Sequence, residues 1–454
     1  MLWAAREVGS ADFRDIRLSQ RLVSLVDALS QQPGSSLPQA LGKWKDVKAA
    51  YRFLDNPKVS ADTIYATHRQ ATCDRAKGER VLLAVQDTSA FNFTLHRKTS
   101  GLGPIGKAGL NGFFLHSCLG VTGTGVPLGI LAHQFIVRPS DSKGSRAMRK
   151  KKALEEKESY RWVAMTQKAA QGFPPDTKVV MVGDRESDIF DLFVLAQAER
   201  LDILIRAAWN RRVADSDAHI LDAVSTAPIL GTTVITVPRA DDHPSREAVL
   251  CLQAASVALR PPPHRARERL PNPTLNALRI WEPQPPEGEE AIEWLLLTTL
   301  PVATLTQALQ YLTWYTYRWR IERYHYILKS GCGIEELQLE TAERLQRAVA
   351  VYSIVAWRLL WLTYQARQTP QAPCTVALTD SEWKALYATT HKTTAVPDVH
   401  PNIHTATRWI AQLGGFLGRK HDGEPGVKVL WRGMRRLQDI AATWELFHPP
   451  ATYG

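Results

Sequence analysis

Cysteine is scarce in this sequence and widely scattered. Five cysteines occur in 454 residues, and none belongs to a C-x-x-C pair, which argues against a disulfide framework and a zinc site. Long apolar runs are absent as well, since none approaches the roughly eighteen residues that span a bilayer. The N-terminal stretch MLWAAREVGSADF lacks the basic segment and apolar core of a signal peptide. We therefore expect a cytoplasmic protein with reduced thiols and no membrane partner.

Positive charge is in excess. Lysine and arginine outnumber aspartate and glutamate by 56 to 45, which gives a net charge of +11 and a pI near 9.4. Such an excess favours a polyanionic partner such as DNA, although it is also compatible with a merely basic surface. With 44% hydrophobic residues the chain is globular, and its length predicts two to four domains.

The first 75 residues are predicted to be helical. One helix is predicted to begin at a cap at Ser10, and a second lies in LGKWKDVKAAYRFLDNP. On the second helix Lys45, Lys48 and Arg52 fall within an arc of about 60°. A helical module with such a basic face suits DNA reading, but the same pattern also occurs on ordinary solvated helices.

From residue 76 the periodicity changes to that of strands alternating with helices. These patterns predict a mixed sheet of the α/β kind. Between residues 210 and 292, Pro-rich interruptions separate further strand patterns, which predicts an all-β insertion with long loops. The predicted strands of the main sheet are 80–87, 113–123, 127–139, 177–184, 202–209 and 293–301.

The stretch YTYRWRIERYHYILK (315–329) carries polar residues at intervals of three, four and seven. On one continuous α-helix, at about 100° per residue, Tyr315, Arg318, Glu322 and Lys329 would share an arc of about 60°. His325 would lie about 20° beyond it. A neighbouring stripe is predicted to face the core. The simplest alternative is a solvated face with a Glu–Arg pair across one turn. The predicted core stripe consists of Leu305, Leu309, Leu312, Trp319 and Ile327.

Two aspartates follow buried strand patterns. Asp87 closes RVLLAVQD and Asp184 closes KVVMVGD, which places both at the carboxyl edge of the sheet, where α/β proteins usually hold their sites. Either aspartate alone is better explained as the cap of the following helix. If Glu322 joins them, three oxygen ligands converge, and such a set suits Mg²⁺ or Mn²⁺ better than zinc.

The spacing Tyr315-(2)-Arg318-(3)-Glu322-(6)-Lys329 matches the Y-(2)-R-(3)-E-(6)-K signature of bacterial insertion-sequence transposases. Together with QDTSAF around Asp87 and GDRESDI around Asp184, the chain resembles the cut-and-paste DDE transposases, the family of the transposon-five transposase. The likeness extends nearly end to end, through AAYRFLDNPKVSA, EKES, WLLLT and LGGF.

The resemblance implies a ribonuclease-H-like core with a β-insertion between the second Asp and the Glu. By the family match, Asp87, Asp184 and Glu322 would be catalytic ligands for Mg²⁺, with Mn²⁺ as a substitute. They would serve end nicking, hairpin formation and opening, and strand transfer. The match assigns the DNA contacts to Tyr315, Arg318, Lys329, Trp294, Arg206 and His325, with Trp294 stacking on a flipped base. For His325 the alternative is an ordinary hydrogen bond that supports the site without contacting DNA.

The resemblance also implies an order of domains and a partner. Residues 1–75 would read the terminal inverted repeats, and 341–454 would form the homodimer that synapses two DNA ends in the bacterial cytoplasm, at the nucleoid. Between them would lie the core in two parts, 76–209 and 293–340, and the insertion at 210–292. Two alternatives remain open, a ribonuclease-H-like nuclease or resolvase and a catalytically silent DNA-binding regulator.

Overall fold

The computed structural model describes residues 3–106, 109–139, 154–199, 201–214, 216–237, 246–420 and 422–448. The chain folds into two compact units. The first consists of Met1–Lys77, Thr88–Ser142 and Arg320–Gly454, and the second of Gly78–Asp87 and Lys143–Trp319. The predicted fold class is confirmed: the protein is α/β, with a ribonuclease-H-like mixed sheet, a β-strand insertion and flanking helical regions.

The strands follow the predicted pattern closely. Ten strands occur among the described residues. In chain order they are β1 (Val81–Asn92), β2 (Gly103–Pro104), β3 (Asn111–Thr122), β4 (Pro127–Ile136), β5 (Lys178–Gly183), β6 (Asp202–Arg206), β7 (Ile229–Val237), β8 (Arg246–Ala258), β9 (Thr274–Trp281) and β10 (Glu293–Thr298).

The helices occupy both ends of the chain and the segments between strands. In chain order they are α1 (Trp3–Val8), α2 (Ile16–Gln31), α3 (Leu37–Leu41), α4 (Trp44–Asp55), α5 (Ala61–Arg75), α6 (Tyr160–Ala170), α7 (Phe190–Ala198), α8 (Ile220–Ser225), α9 (Leu305–Thr316), α10 (Trp319–Tyr326), α11 (Ala342–Gln368), α12 (Asp380–His391), α13 (Ile403–Leu413) and α14 (Val427–Phe447).

A mixed sheet forms the centre of the second unit. β5 pairs in parallel with β1 on one side and with β6 on the other. β6 pairs antiparallel with β10, and β9, β8 and β7 follow in antiparallel order. Val180, Met181 and Val182 of β5 are almost fully buried, as expected for a central parallel strand covered on both faces.

The insertion continues this sheet. Its three strands are antiparallel, as predicted, and β9 joins them to the main sheet by pairing with β10. The region 210–292 also contains the short helix α8 and a 3₁₀ turn at Pro263–Glu268, so it is not made of strands alone. Ile220 and Val224 of α8 are fully buried in the same apolar core as the sheet, which explains why a helix forms there.

The first unit combines the antiparallel hairpin β3–β4 with helices from both ends of the chain. The long helix α11 is buried along most of its length. Its Trp357 donates a hydrogen bond from Nε1 to the carbonyl oxygen of Pro127 (2.9 Å), and the guanidinium of Arg75 lies 4.1 Å above the same indole ring. Arg75 also pairs with the buried Glu7 at 2.7 Å. The N-terminal helices thus share one core with α11 and β4.

The predicted cap at Ser10 is wrong. The second helix begins at Ile16, and its cap is Asp15, whose side chain accepts a hydrogen bond from the backbone N–H of Arg17 (3.1 Å). Arg14 has a φ of 57°, a left-handed conformation that cannot continue into a right-handed helix. The helix therefore cannot extend back to Ser10.

The stretch 315–329 is not one α-helix, contrary to the prediction. Helix α9 ends at Thr316, α10 begins three residues later at Trp319, and Ile327–Gly331 form a π-helix. At the break, the backbone N–H of Arg318 donates to the carbonyl oxygen of Tyr315 (3.0 Å), the tighter bond of a 3₁₀ turn. The signature residues therefore do not lie on one straight stripe.

The predicted core stripe is correct only in part. Leu312 and Ile327 are buried, but Trp319 is 47% exposed. The change of helix type at the break rotates Trp319 away from the stripe that a straight helix would give.

No described helix is long and apolar enough to cross a membrane. All five cysteines are free thiols; Cys73 is partly exposed and the other four are buried.

Candidate functional site

The register of the neighbouring parallel strands β1 and β5, extended by two residues, aligns Asp87 with Asp184. The strands pair Val81 with Lys178 and continue residue by residue to Val85 with Val182. The offset is 178 − 81 = 97, and 184 − 87 gives the same 97, so the register carried two residues further aligns the two aspartates. Asp87 does not end its strand, as the sequence suggested, because β1 continues to Asn92. It is Asp184 that lies just beyond the end of its strand.

Local hydrogen bonds fix Asp184. Its Oδ1 accepts from the backbone N–H of Glu186 (2.8 Å), which caps a 3₁₀ turn at Arg185–Ser187. Ser187 Oγ donates back to the carbonyl oxygen of Asp184 (2.6 Å). Gly183 is required here because a Cβ at that position would collide with Ser187 Oγ. A carboxylate has about four lone-pair sites, so capping leaves Asp184 able to act as a ligand as well.

The pKa of Asp184 is raised above the ordinary value for aspartate. Burial is the main cause, and the neighbouring charges of Asp87 and Glu186 add to it, while the capping hydrogen bond and Arg318 oppose it. Burial and like charges both disfavour the ionised carboxylate. A cation bound at this edge of the sheet would relieve that cost.

Four predicted DNA contacts of the second unit form a cluster of cations and aromatic rings. The ring centroids of Trp294 and Tyr315 are 5.8 Å apart in an edge-to-face arrangement. The guanidinium of Arg206 lies 5.9 Å from the Trp294 ring, and that of Arg318 lies 6.0 Å from the Tyr315 ring. Trp319, exposed at the break between helices, packs edge-on against Trp294 at 6.2 Å. The structure therefore brings these side chains together from β6, β10, α9, the turn after α9 and the start of α10.

The electrostatics of the cluster tie it to Asp184. Burial raises the pKa of the Tyr315 hydroxyl, whereas Arg318 and Arg206 lower it and Asp184 raises it further. Burial lowers the pKa of Arg206, and the positive charges of Arg185 and Arg318 act in the same direction. Cations that repel one another in a partly desolvated cluster favour a polyanion between them.

Two other signature residues belong to the first unit. Glu322 is exposed on α10. Lys329 lies in the π-helix with its Nζ 3.8 Å from Glu335 Oε1 and 5.2 Å from the centre of the Phe91 ring. Glu335 Oε1 also accepts the backbone N–H of Asn92 (2.7 Å), so Lys329 is held at the end of β1.

His325 is only 5% exposed. Its Nε2 lies 3.2 Å from Ser117 Oγ on β3. His325 is thus held against β3, and its contact with DNA stays a prediction.

No group of three or more His, Cys, Asp or Glu side chains in the described part of the chain is arranged to hold a metal ion. Asp87 on β1 and Asp184 just beyond β5 nevertheless supply two neighbouring carboxylates, and oxygen donors are the ligands that Mg²⁺ prefers.

Models of three protein families match the chain. The first, Transposase DNA-binding, matches residues 1–59. The second, Transposase DDE domain, matches 146–357, and the third, Transposase Tn5 dimerisation domain, matches 354–447.

The chain belongs to the Tn5-like DDE transposases.

The DDE family model covers only two of the three predicted acids of this transposase. It includes Asp184 and Glu322 but begins beyond Asp87. The case for Asp87 therefore rests on its register with Asp184 and on the electrostatic effect of one aspartate on the other.

The DNA-binding match includes the three cations predicted on α4. Lys45, Lys48 and Arg52 are all exposed on that helix of the transposase. Two aromatic residues share the exposed side: Trp44 is 69% exposed and Tyr51 is 40% exposed. The Lys48 Nζ lies 5.2 Å from the Trp44 ring. These two aromatic residues were not among the predicted DNA contacts, although their spacing of four and three residues from Lys48 places them on its side of a helix.

Sequence reasoning also missed an ion pair that supports the site. Asp188, four residues after Asp184, has a fully buried side chain, and its Oδ1 accepts two hydrogen bonds from Arg211 (2.6 and 2.9 Å). Its Oδ2 accepts the backbone N–H groups of Ala208 and Trp209 (2.7 and 3.0 Å). Asp188 thereby anchors the loop that follows β6, the strand that ends at Arg206. An acid followed by an apolar helix was the only signal in the sequence.

Proposed function

We propose that this transposase cuts DNA at the terminal inverted repeats of its own element and joins the freed ends to target DNA. Asp87, Asp184 and Glu322 would hold Mg²⁺, with Mn²⁺ as a substitute. The observation that carries the proposal is the alignment of Asp87 with Asp184 beside the cationic and aromatic cluster of the second unit.

The chemistry requires divalent cations. Bound at the acids, such cations would activate an attacking oxygen and stabilise the leaving oxygen of a phosphodiester. The donor set supports this choice because it consists of carboxylates and contains no cysteine.

The side chains around the acids would hold the scissile phosphate. Arg318 can donate a fork of two hydrogen bonds to phosphate oxygens, Lys329 supplies a point charge, and Tyr315 donates one hydrogen bond. Nicking, hairpin formation, hairpin opening and strand transfer are all in-line displacements at phosphorus, so one such site can serve them in turn. Trp294 would stack on a base extruded during hairpin formation, and Arg206 would contact the same DNA end.

DNA binding and homodimer formation agree with the matches to the DNA-binding and dimerisation families. Lys45, Lys48 and Arg52 would contact phosphates of the inverted repeat, which supplies affinity without base readout. The domain boundaries proposed from the sequence, at residues 75, 209, 292 and 340, remain part of this proposal.

The experiment uses labelled DNA taken from the flanks of the coding region, incubated with Mg²⁺ or with EDTA and resolved on a denaturing gel. The wild type should give metal-dependent nicks and hairpins. Glu322→Ala should bind the same DNA but leave it intact, because a metal ligand is lost and DNA contacts remain. Glu343→Ala is the matched control, since its side chain is 79% exposed and pairs only across one turn with Arg347.

Asp184 needs a gentler substitution because it caps a turn. Asp184→Asn keeps an oxygen that can accept the Glu186 N–H but removes the charge, and Asp87→Asn is its partner test. Both should bind ends without cutting them. Normal cleavage by Glu322→Ala would refute the assignment of the active site, while cutting without any end preference would favour a nuclease or resolvase. Binding without strand breakage in Mg²⁺ and Mn²⁺ alike would identify a silent regulator.

A further inference from the structure

The helix that carries Glu322 ends in a π turn that includes Lys329. Residues Ile327–Gly331 form this π-helix, and it closes with a hydrogen bond from the backbone N–H of Cys332 to the carbonyl oxygen of Ile327 (2.9 Å). Because this hydrogen bond joins residues five apart, the turn contains one residue more than an α-helical turn. Such turns are rare and are found mostly as single turns at functional sites. Tertiary contacts must therefore support it.

Trp431 of α14 supplies a contact at each end of the π turn. Its ring centroid lies 5.7 Å from that of Tyr326, the residue just before the turn. At the other end, a Cβ on Gly331 would lie 2.9 Å from Trp431 Cε3 and 3.2 Å from Cζ3. The missing side chain of Gly331 is what allows the indole to approach so closely. Trp431 lies among the residues that match the dimerisation family, 354–447.

The π turn determines where Lys329 points. Its Nζ lies near Glu335 Oε1 (3.8 Å) and near the Phe91 ring (5.2 Å) at the end of β1. If the extra residue were lost and the turn relaxed to an α-helix, the residues in and after it would rotate by about 100°. Lys329 would then leave this position, while Glu322, one turn earlier, would keep its backbone.

We propose that Trp431 is a positioning residue for strand cleavage. By packing on Tyr326 and Gly331 it holds the π turn, and the π turn holds Lys329 where it meets the phosphate. A helix of the dimerisation region thus supports the catalytic helix directly. The inference rests on the proposed phosphate contact of Lys329.

Three variants test it in the full-length protein. Trp431→Ala removes the indole, Trp431→Phe keeps an aromatic ring, and Trp409→Ala is the matched control. Trp409 is a half-buried tryptophan of the same region whose ring contacts are to Tyr387 and His391. Each protein is measured for end affinity, dimer content by sedimentation, single-turnover cleavage at saturating protein, and hydrogen exchange in a peptide spanning 327–332.

For Trp431→Ala we expect cleavage to slow by about tenfold to 100-fold, the scale of a misplaced contact. End affinity and dimer content should stay within about threefold of wild type, as expected when only a cleavage-step contact is lost. Exchange at 327–332 should accelerate. Trp431→Phe should recover most of the rate, and Trp409→Ala should cleave at the wild-type rate with unchanged exchange at 327–332.

Gly331→Ala gives a second route to the same result, because its Cβ would press on the indole. As a single variant it should slow cleavage. Added to Trp431→Ala it should cause no further loss, since the two changes disturb one contact.

Several outcomes would overturn the inference. Wild-type cleavage by Trp431→Ala would do so, and so would a loss of cleavage that only follows a loss of dimer or of end binding. If the wild type itself bound DNA ends but never cut them, the proposed function would fail. Hydrogen exchange would still test whether Trp431 holds the π turn. Unchanged exchange at 327–332 in Trp431→Ala would then show that the indole does not hold the turn.

Discussion

The two cationic regions of this transposase differ in how far water reaches them. On α4, Lys45, Lys48 and Arg52 are exposed on one side of a helix. Near the carboxyl end of β5, Arg206 and Arg318 are half-buried against the rings of Trp294 and Tyr315. The first region is therefore solvated, and the second is partly shielded from water by aromatic rings.

This difference in exposure predicts different functions for the two regions. Exposed cations attract a polyanion through counterion release, so their contribution depends strongly on salt and little on geometry. Cations fixed among aromatic rings have already lost part of their hydration and their freedom, so they can act on charge that develops in a transition state. We expect α4 to govern how tightly DNA binds and the cluster to govern how fast it is cut.

The largest effect is expected for Asp188, which anchors the loop after β6 beside the cationic and aromatic cluster. Asp188→Ala should lower the free energy of unfolding by about 3–5 kcal/mol, because Arg211 would keep a buried charge without its partner. Urea denaturation measures this. Asp439→Ala is the control, since Asp439 is an exposed aspartate within α14. A loss below about 1 kcal/mol would show that the cluster is not anchored by this pair. The double variant Asp188→Ala/Arg211→Ala should be less destabilised than Asp188→Ala.

A smaller effect, on rate, is expected for Arg318→Ala. Cleavage at saturating protein should fall by about 10²–10³-fold, as when one donor to a developing charge is removed. End affinity should fall by less than about tenfold, because most phosphate contacts remain. Arg318→Lys should recover only part of the rate, since lysine cannot donate a planar fork. Single-turnover assays give the rate, and Arg323→Ala, an exposed arginine on α10, is the control. Equal losses of affinity and rate would contradict the contrast between the two regions.

The smallest effect is expected for Lys48→Ala. Binding should weaken modestly, and the slope of log affinity against log salt should fall by about 1, the signature of one lost phosphate contact. The cleavage rate at saturating protein should not change. Fluorescence anisotropy at several salt concentrations measures the slope, and Lys168→Ala, an exposed lysine on α6, should leave it unchanged. Slower cleavage by Lys48→Ala at saturating protein would instead show that α4 contributes to the cleavage step.

Much of the sheet could be read from the chain because its strands are long apolar runs. RVLLAVQD covers the first part of β1 and TKVVMVGD covers β5, and the aspartates that close these runs are the two that the register aligns. The position of the first acid at the end of a buried strand depends only on local sequence, so it could be predicted.

The signature stretch could not be predicted in the same way. Side-chain spacing assumes one helix type, whereas the chain changes from α to 3₁₀ at Arg318 and to π at Ile327. Those changes depend on partners distant in sequence, such as Trp431 against Gly331. The Asp188–Arg211 pair was missed for a related reason: nothing local marks an aspartate that will be buried with an arginine 23 residues later.

The parallel register of β1 and β5 has a consequence for how the family can vary in length. Substitutions along either strand leave Asp87 and Asp184 level with each other. A single inserted residue in one strand would turn the following side chain to the opposite face of the sheet. A two-residue insertion would restore the face but shift the carboxylate by about 6.6 Å along the strand. We therefore expect natural variation in length to collect in the loops and to avoid the segments 81–87 and 178–184.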